Sequence, residues 1–322
     1  MHPTTYTSSS IGPCPDLKYN FFDRPEPVSI TWDDGFNFSD RTWFKVFHQC
    51  EPPEVIDIID KLIQNHKFYD LILAWDDRVL AQCSNAVFLT ESACSWMDRK
   101  SGKLSPAPLG QMRVEGYDTP QSNVVVANYT PFDGPKNFAA SFITSSKSMF
   151  PGHKLRQEIY SLLPERIGQL NIRKHKSPPW LSDKRELLET FQFHVVCENS
   201  KHNGYYSEKI VDCFIAKTVP IYWGCPNIGK HFDSDGIIAF ETAEEAIRIL
   251  ETLTAEDYTK RLPVIERNFH MALKGVHQWD LIEQAISNGI ASKLKNGTIT
   301  TVEPPMVEQF TLTSPRRMLR RK

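Results

Sequence analysis

The residue types best suited to chemistry lie in one run, FHVVCENSKHNGYYSEKIVDCFIAKTVPIYWGCPNIGKHF, from Phe193 to Phe232. A strand pattern ends at Cys197, and Glu198 and Asn199 follow where a doubly wound sheet opens its binding crevice. Gly204 permits a backbone turn that other residues resist. Ser207 is placed to cap a helix through its hydroxyl, which puts Glu208 and Lys209 in the first turn. Unpaired backbone N–H groups and the helix dipole favour an anion there, and Lys209 adds a full positive charge, so a diphosphate fits that field. Glu208 does not suit a phosphate. Its carboxylate suits a ribose, where it can accept from two neighbouring hydroxyls. The same pair also reads as an ordinary solvated helix start, and local physics alone does not choose between the two.

The elements that must position these residues alternate along the chain. In the first half, strand-like runs at Phe44–His48, Leu71–Ala74, Val87–Leu89 and Val124–Ala127 surround a helical stretch, Glu54–Asn65, with Val55, Ile58, Ile59 and Leu62 at helical spacing. After a Pro/Gly-rich patch at Pro131–Lys136, the run Phe138–Thr144 opens a new unit and leads into a helix near His153–Leu163. Helix Ser182–Thr190, strand Phe193–Cys197, helix Ser207–Ala216 and strand Val219–Trp223 follow, then helices over Ala243–Leu253 and Tyr258–Leu273. This grammar predicts an α/β protein with parallel sheets, divided as residues 1–135, residues 136–290 and a polar extension 291–322.

The chain has 322 residues, enough for two cores, and its 24% charged and 40% hydrophobic residues describe a globular protein. A net charge of -2 argues against a nucleic-acid partner. The basic tail Arg316, Arg317, Arg320, Arg321 and Lys322 is a solvated end that offers at most a peripheral contact with an acidic membrane surface. Met1–Asn20 carries no secretion-type signal, and no stretch of about 18 apolar residues occurs, so the expectation is a cytoplasmic protein with no transmembrane span. The 7 cysteines show no metal-binding spacing and read as free thiols, with Cys197 and Cys213 as small core residues.

Glu198-Asn199-Ser200, Tyr205, Ser207-Glu208-Lys209 and Val219-Pro220-Ile221-Tyr222-Trp223-Gly224 together resemble the donor-binding motif of family 10 glycosyltransferases, the α1,3/α1,4-fucosyltransferases. The resemblance lies mainly in the C-terminal half. It implies a GT-B fold of two facing Rossmann-like domains with a cleft between them, and inverting transfer of fucose from GDP-fucose to a glycan acceptor. It also implies donor contacts by Asn199, Tyr205, Glu208 and Lys209. The run Phe138–Tyr160 resembles the family's strand, loop and helix that bring an arginine to the diphosphate, and Arg156 stands at that place. Guanidinium geometry suits bidentate phosphate contact. His153, just ahead of it, could assist near the phosphates, although a lone histidine in a loop is ordinarily polar surface.

An inverting transfer needs a carboxylate to take the acceptor proton. In FKVFHQCEPPEV, which resembles the family's N-terminal strand, Glu51 occupies the place of the proposed base. Glu91 is the second candidate, Asp33 or Asp34 the third, and Glu51 also reads as a loop or helix-start residue. Positive charge from Arg156 and Lys209 would stabilise the leaving group without a required metal, magnesium or manganese being at most stimulatory. Asp33-Asp34 and Asp76-Asp77 read as turn or helix-start pairs. Two alternatives stay open, a relative using another nucleotide sugar and a non-catalytic glycan- or nucleotide-binding module.

Overall fold

A computed structural model describes residues 5–8, 26–33, 35–90, 92, 134–166, 171–175, 184–274 and 278–296. The chain divides into two compact units, residues 1–90 with 279–322, and residues 91–278.

The first unit holds strands β1 (Thr5–Ser8), β2 (Val28–Trp32), β3 (Phe44–His48), β4 (Leu71–Ala74) and β5 (Ala86–Phe88). They pair in sequence order, and every pair is parallel. Helix α1 (Ile59–Gln64) is shorter than the pattern suggested, because the chain first turns through Pro52 and Val55. Helix α2 (Asp77–Gln82) is capped by Asp76, whose Oδ1 accepts from Arg78 N at 2.9 Å, in keeping with a helix-start role for that acidic pair.

Side chains alternate along a strand, so Val28 and Ile30, Phe44 and Val46, and Leu71 and Leu73 share one face of this sheet. All are buried in one cluster with Ile282, Ile286 and Ile290. Those isoleucines, four residues apart, form the apolar stripe of the last helix, α8 (Gln278–Asn296). The expected boundary at residue 290 is therefore corrected. The helix runs through it, and the stripe belongs to the first core. The other expected boundary, residue 135, follows a stretch outside the described residues, as does the strand expected at Val124–Ala127.

In the second unit, β6 (Asn137–Ser145), β7 (Asn171–His175), β8 (Phe191–Cys197), β9 (Val219–Trp223) and β10 (Ile238–Ala239) form a parallel sheet of order β10-β9-β8-β6-β7. Helices α3 (Pro151–Arg166), α4 (Arg185–Leu188), α5 (Glu208–Ile215), α6 (Ala243–Thr252) and α7 (Ala255–Leu273) connect and cover it. Strand β9 is buried throughout, the mark of a central strand covered on both faces. From β6 the chain winds first toward β7 and then, beyond β6, to β8. The β6/β8 junction is thus the point where the winding reverses, and ligands of doubly wound sheets settle at the strand ends there.

Candidate functional site

At that junction α3 leaves the end of β6 and begins against the end of β8. Gly152 N donates to Asn199 O at 3.0 Å. A β-carbon on Gly152 would overlap the Glu198 carbonyl oxygen and stand 2.8 Å from its carbon, so only glycine permits this approach. One turn on, Arg156 is 7% exposed and donates from Nη1 to Cys197 O and from Nη2 to Asn199 Oδ1, the latter at 3.1 Å. Arg156 is a buried brace between α3 and β8 as well as a cation at the site. Sequence reasoning placed it with Asn199 and missed the brace.

The second half of the site is the start of α5. Gly204 adopts a φ of 77°, and its N–H donates to Asn227 Oδ1 at 2.8 Å. Ser207 caps the helix in extended conformation, its hydroxyl accepting from Lys209 N at 3.4 Å. Glu198 is 0% exposed and holds the cap from below. Its Oε1 accepts from Ser207 N at 3.0 Å and its Oε2 from Ser207 Oγ at 2.6 Å. Burial pushes the Glu198 carboxyl up, an effect opposed by Lys209 and the Ser207 hydroxyl. Glu198 is therefore a support for the cap and not a ligand contact.

Lys209 Nζ donates to Ser207 Oγ at 2.9 Å and lies 3.6 Å from Glu198 Oε2 and 3.5 Å from Glu208 Oε1. Lys184, a residue sequence reasoning did not single out, reaches the same place from just before α4. Its Nζ is 2.8 Å from Asp212 Oδ2 and 3.6 Å from Glu208 Oε1. Burial raises the Glu208 carboxyl, but Lys209 and Lys184 outweigh it and bring it down to about 2, so it is ionised and acceptor-only at neutral pH. Glu208 and Lys209 keep side-chain exposures of 33% and 27%, enough to meet a ligand. Tyr205 is buried, its N–H donating to His202 O at 3.2 Å.

The candidate base lies in the other unit. Asp33 has a left-handed φ of 44°, unfavourable for most residues and tolerated by aspartate. Its Oδ1 accepts from Cys50 N at 2.8 Å and Glu51 N at 3.2 Å. Asp33 is buried with its carboxylate turned to that loop, so its ranking as a third candidate base gives way to a structural one, the anchor of the Glu51 backbone. Glu91 and Asp34 lie outside the described residues. Cys50, Cys83, Cys197, Cys213 and Cys225 are free thiols. Among the described residues no group of three or more His, Cys, Asp or Glu could hold a metal ion, and no helix is long and apolar enough to cross a membrane.

Two parallel α/β units, one with Arg156, Glu208 and Lys209 gathered at its winding reversal, are the fold class of GT-B proteins. No family model matches the sequence. Over 76 residues, 23% of this chain, it is 34% identical to an α-(1,3)-fucosyltransferase of Helicobacter pylori, and the match spans 16% of that relative's length. A crystal structure of α1,3-fucosyltransferase superposes with a TM-score of 0.50 at 18% identity, covering 86% of this chain and 81% of the other. One of α1,3-fucosyltransferase with GDP gives a TM-score of 0.50 at 17% identity and covers 94% of each. The resemblance to fucosyltransferases thus holds in fold as well as in sequence.

Proposed function

We propose that the chain is an inverting glycosyltransferase that moves fucose from GDP-fucose to a hydroxyl of a glycan acceptor. The observation that carries this reading is the joined set at the start of α5, where ionised Glu208 and cationic Lys209 stand side by side on a cap held by Glu198. A cation beside a helix N-terminus suits a diphosphate, and an exposed carboxylate suits the neighbouring ribose hydroxyls. That an α1,3-fucosyltransferase of similar fold was crystallised with GDP supports a guanine nucleotide. Free buried cysteines suit the reducing cytoplasm, where the reading places the reaction.

In this reading Lys209, Arg156 and the α5 N-terminus meet the charge that grows on the departing diphosphate, and Asn199 and Tyr205 complete the donor contacts. The acceptor hydroxyl attacks from the opposite side, which inverts the sugar carbon, and Glu51 takes its proton. Glu51→Gln is expected to lower turnover at least about a hundredfold while GDP affinity stays unchanged. If turnover persists, the base is another group, Glu91 being the next to replace.

Calorimetry with GDP, UDP and their sugars tests the donor. GDP is expected to bind more tightly than UDP, and Lys209→Ala and Arg156→Ala are each expected to weaken GDP by about 1 to 3 kcal/mol, the range for charge-assisted hydrogen bonds. Preference for a UDP-sugar would move the chain to a different donor. GDP binding without turnover of any acceptor would make it a binding module.

A further inference from the structure

The site contains two buried polar side chains that neither the fold nor the proposed reaction yet uses, and both flank the junction between α3 and β8. His153 follows Gly152, the donor of the Gly152 N to Asn199 O bond, and Ser200 follows Asn199, its acceptor. The sequence left His153 open between a helper near the phosphates and ordinary polar surface in a loop. His153 lies inside the first turn of the 16-residue helix α3, is 5% exposed, and packs its ring 5.1 Å from that of Phe150. Its Nδ1 is buried with no hydrogen-bond partner, and so is the hydroxyl of Ser200. A buried polar atom left unpaired costs about 1 to 3 kcal/mol, a cost that a ligand bound there would remove.

The charge around His153 says which ligand. Burial first, then the positive charges of Arg156, Lys147 and Lys209, push its pKa down to about 3, so the imidazole is neutral. These three cations come from α3 itself, from the loop after β6 and from the start of α5, and all act on one ring. A neutral imidazole keeps one N–H, a donor that an anion held among these cations can accept.

We propose that His153 is a direct contact of the bound diphosphate, donating a ring N–H to a phosphate oxygen at the α3 N-terminus. This deepens the donor-site reading and rests on it. Arg156 spends two of its five N–H donors on Cys197 O and Asn199 Oδ1, and His153 adds a further donor from the α3 side to those of Arg156 and of Lys209 on α5.

The test is calorimetric titration of inorganic pyrophosphate, GDP and guanosine into the full chain, wild type, His153→Ala and His153→Gln. His153→Ala is expected to weaken pyrophosphate and GDP about tenfold each, equal to about 1.4 kcal/mol, and to leave guanosine unchanged. His153→Gln keeps an N–H donor and is expected to recover part of the loss. Unchanged pyrophosphate and GDP affinities in either variant with a wild-type circular dichroism spectrum overturn the proposal, as does equal weakening of guanosine, which would mark a merely structural role. If wild type binds pyrophosphate in a His153-dependent way but not GDP, the anion contact stands and the nucleotide reading fails. If it binds neither, both fail.

Discussion

Gly152→Ala should destabilise the second unit by about 3 kcal/mol or more and remove measurable GDP binding. The new methyl would overlap the backbone oxygen of Glu198 and approach the Asn199 carbonyl carbon to 3.2 Å. Backbone just past the end of a central strand yields far less readily than the tip of a flexible side chain, so α3 must retreat, and overpacking of this kind costs about 1 to 3 kcal/mol even where relief is available. Retreat would also stretch the Gly152 N to Asn199 O bond and pull Arg156 from Cys197 O and Asn199. Gly229→Ala is the control. A β-carbon there meets Ser234 at 3.8 Å, an ordinary contact, and that variant should be close to wild type. Denaturant unfolding and GDP titration of both variants decide the matter. Wild-type stability and GDP affinity in Gly152→Ala would show that α3 does not sit against β8 as described.

Acidification from pH 7 to pH 5 should destabilise the protein through three buried histidines. His48 in the first unit and His153 and His194 in the second are each lowered to about 3, chiefly by burial. Each ring is neutral when folded and titrates near 6.5 when unfolded. Below 6.5 the unfolded chain binds protons that the folded chain refuses. The stability is therefore full above 6.5, falls through pH 6 and 5, and stops falling near 3. At about 1.4 kcal/mol per pH unit per group, the loss between pH 7 and pH 5 is about 2 kcal/mol for each histidine. The second unit, with two, should lose more than the first, offset in part by Glu198, whose raised carboxyl takes up a proton more readily folded than unfolded. Glu208, lowered to about 2, adds a further loss with the same sign, confined to pH values below its ordinary 4.5. Melting curves at pH 8, 7, 6 and 5, with histidine titrations followed by NMR, test this. A melting temperature flat between pH 7 and 5, or folded-state titration near 6.5, would refute it.

What the sequence made legible is what local chemistry encodes. The Ser207 cap, the φ of Gly204 and the apolar run of β9 are decided within a few residues, and all three lie where the sequence puts them. Strand β7 escaped notice because, as an edge strand with the sequence NIRKH, it lacks the apolar run of its central neighbours. Lys184 escaped because its partners Glu208 and Asp212 are 24 and 28 residues away and no local pattern links them. Asp33 was weighed as a reactive carboxylate, and only the pairing of β2 with β3 shows that it faces the N–H groups before Pro52. Helix α8 escaped notice. Ile282, Ile286 and Ile290 keep helical spacing, but the lysines and asparagine that follow resemble a tail, and nothing local says that the stripe belongs to a sheet formed some 200 residues earlier.

That long return of α8 has a bearing on how the protein is made. A ribosome completes the strands of the first sheet early, and the helix that covers Val28, Ile30, Phe44 and Val46 emerges only after all of the second unit. The fit is close, since a β-carbon on Gly289 would stand 2.7 Å from the Phe44 ring. Until synthesis reaches this point the nascent sheet presents a greasy face to water, a state that invites chaperone capture and mispairing. The second unit has its own core and is complete in the nascent chain before α8, so it can mature first.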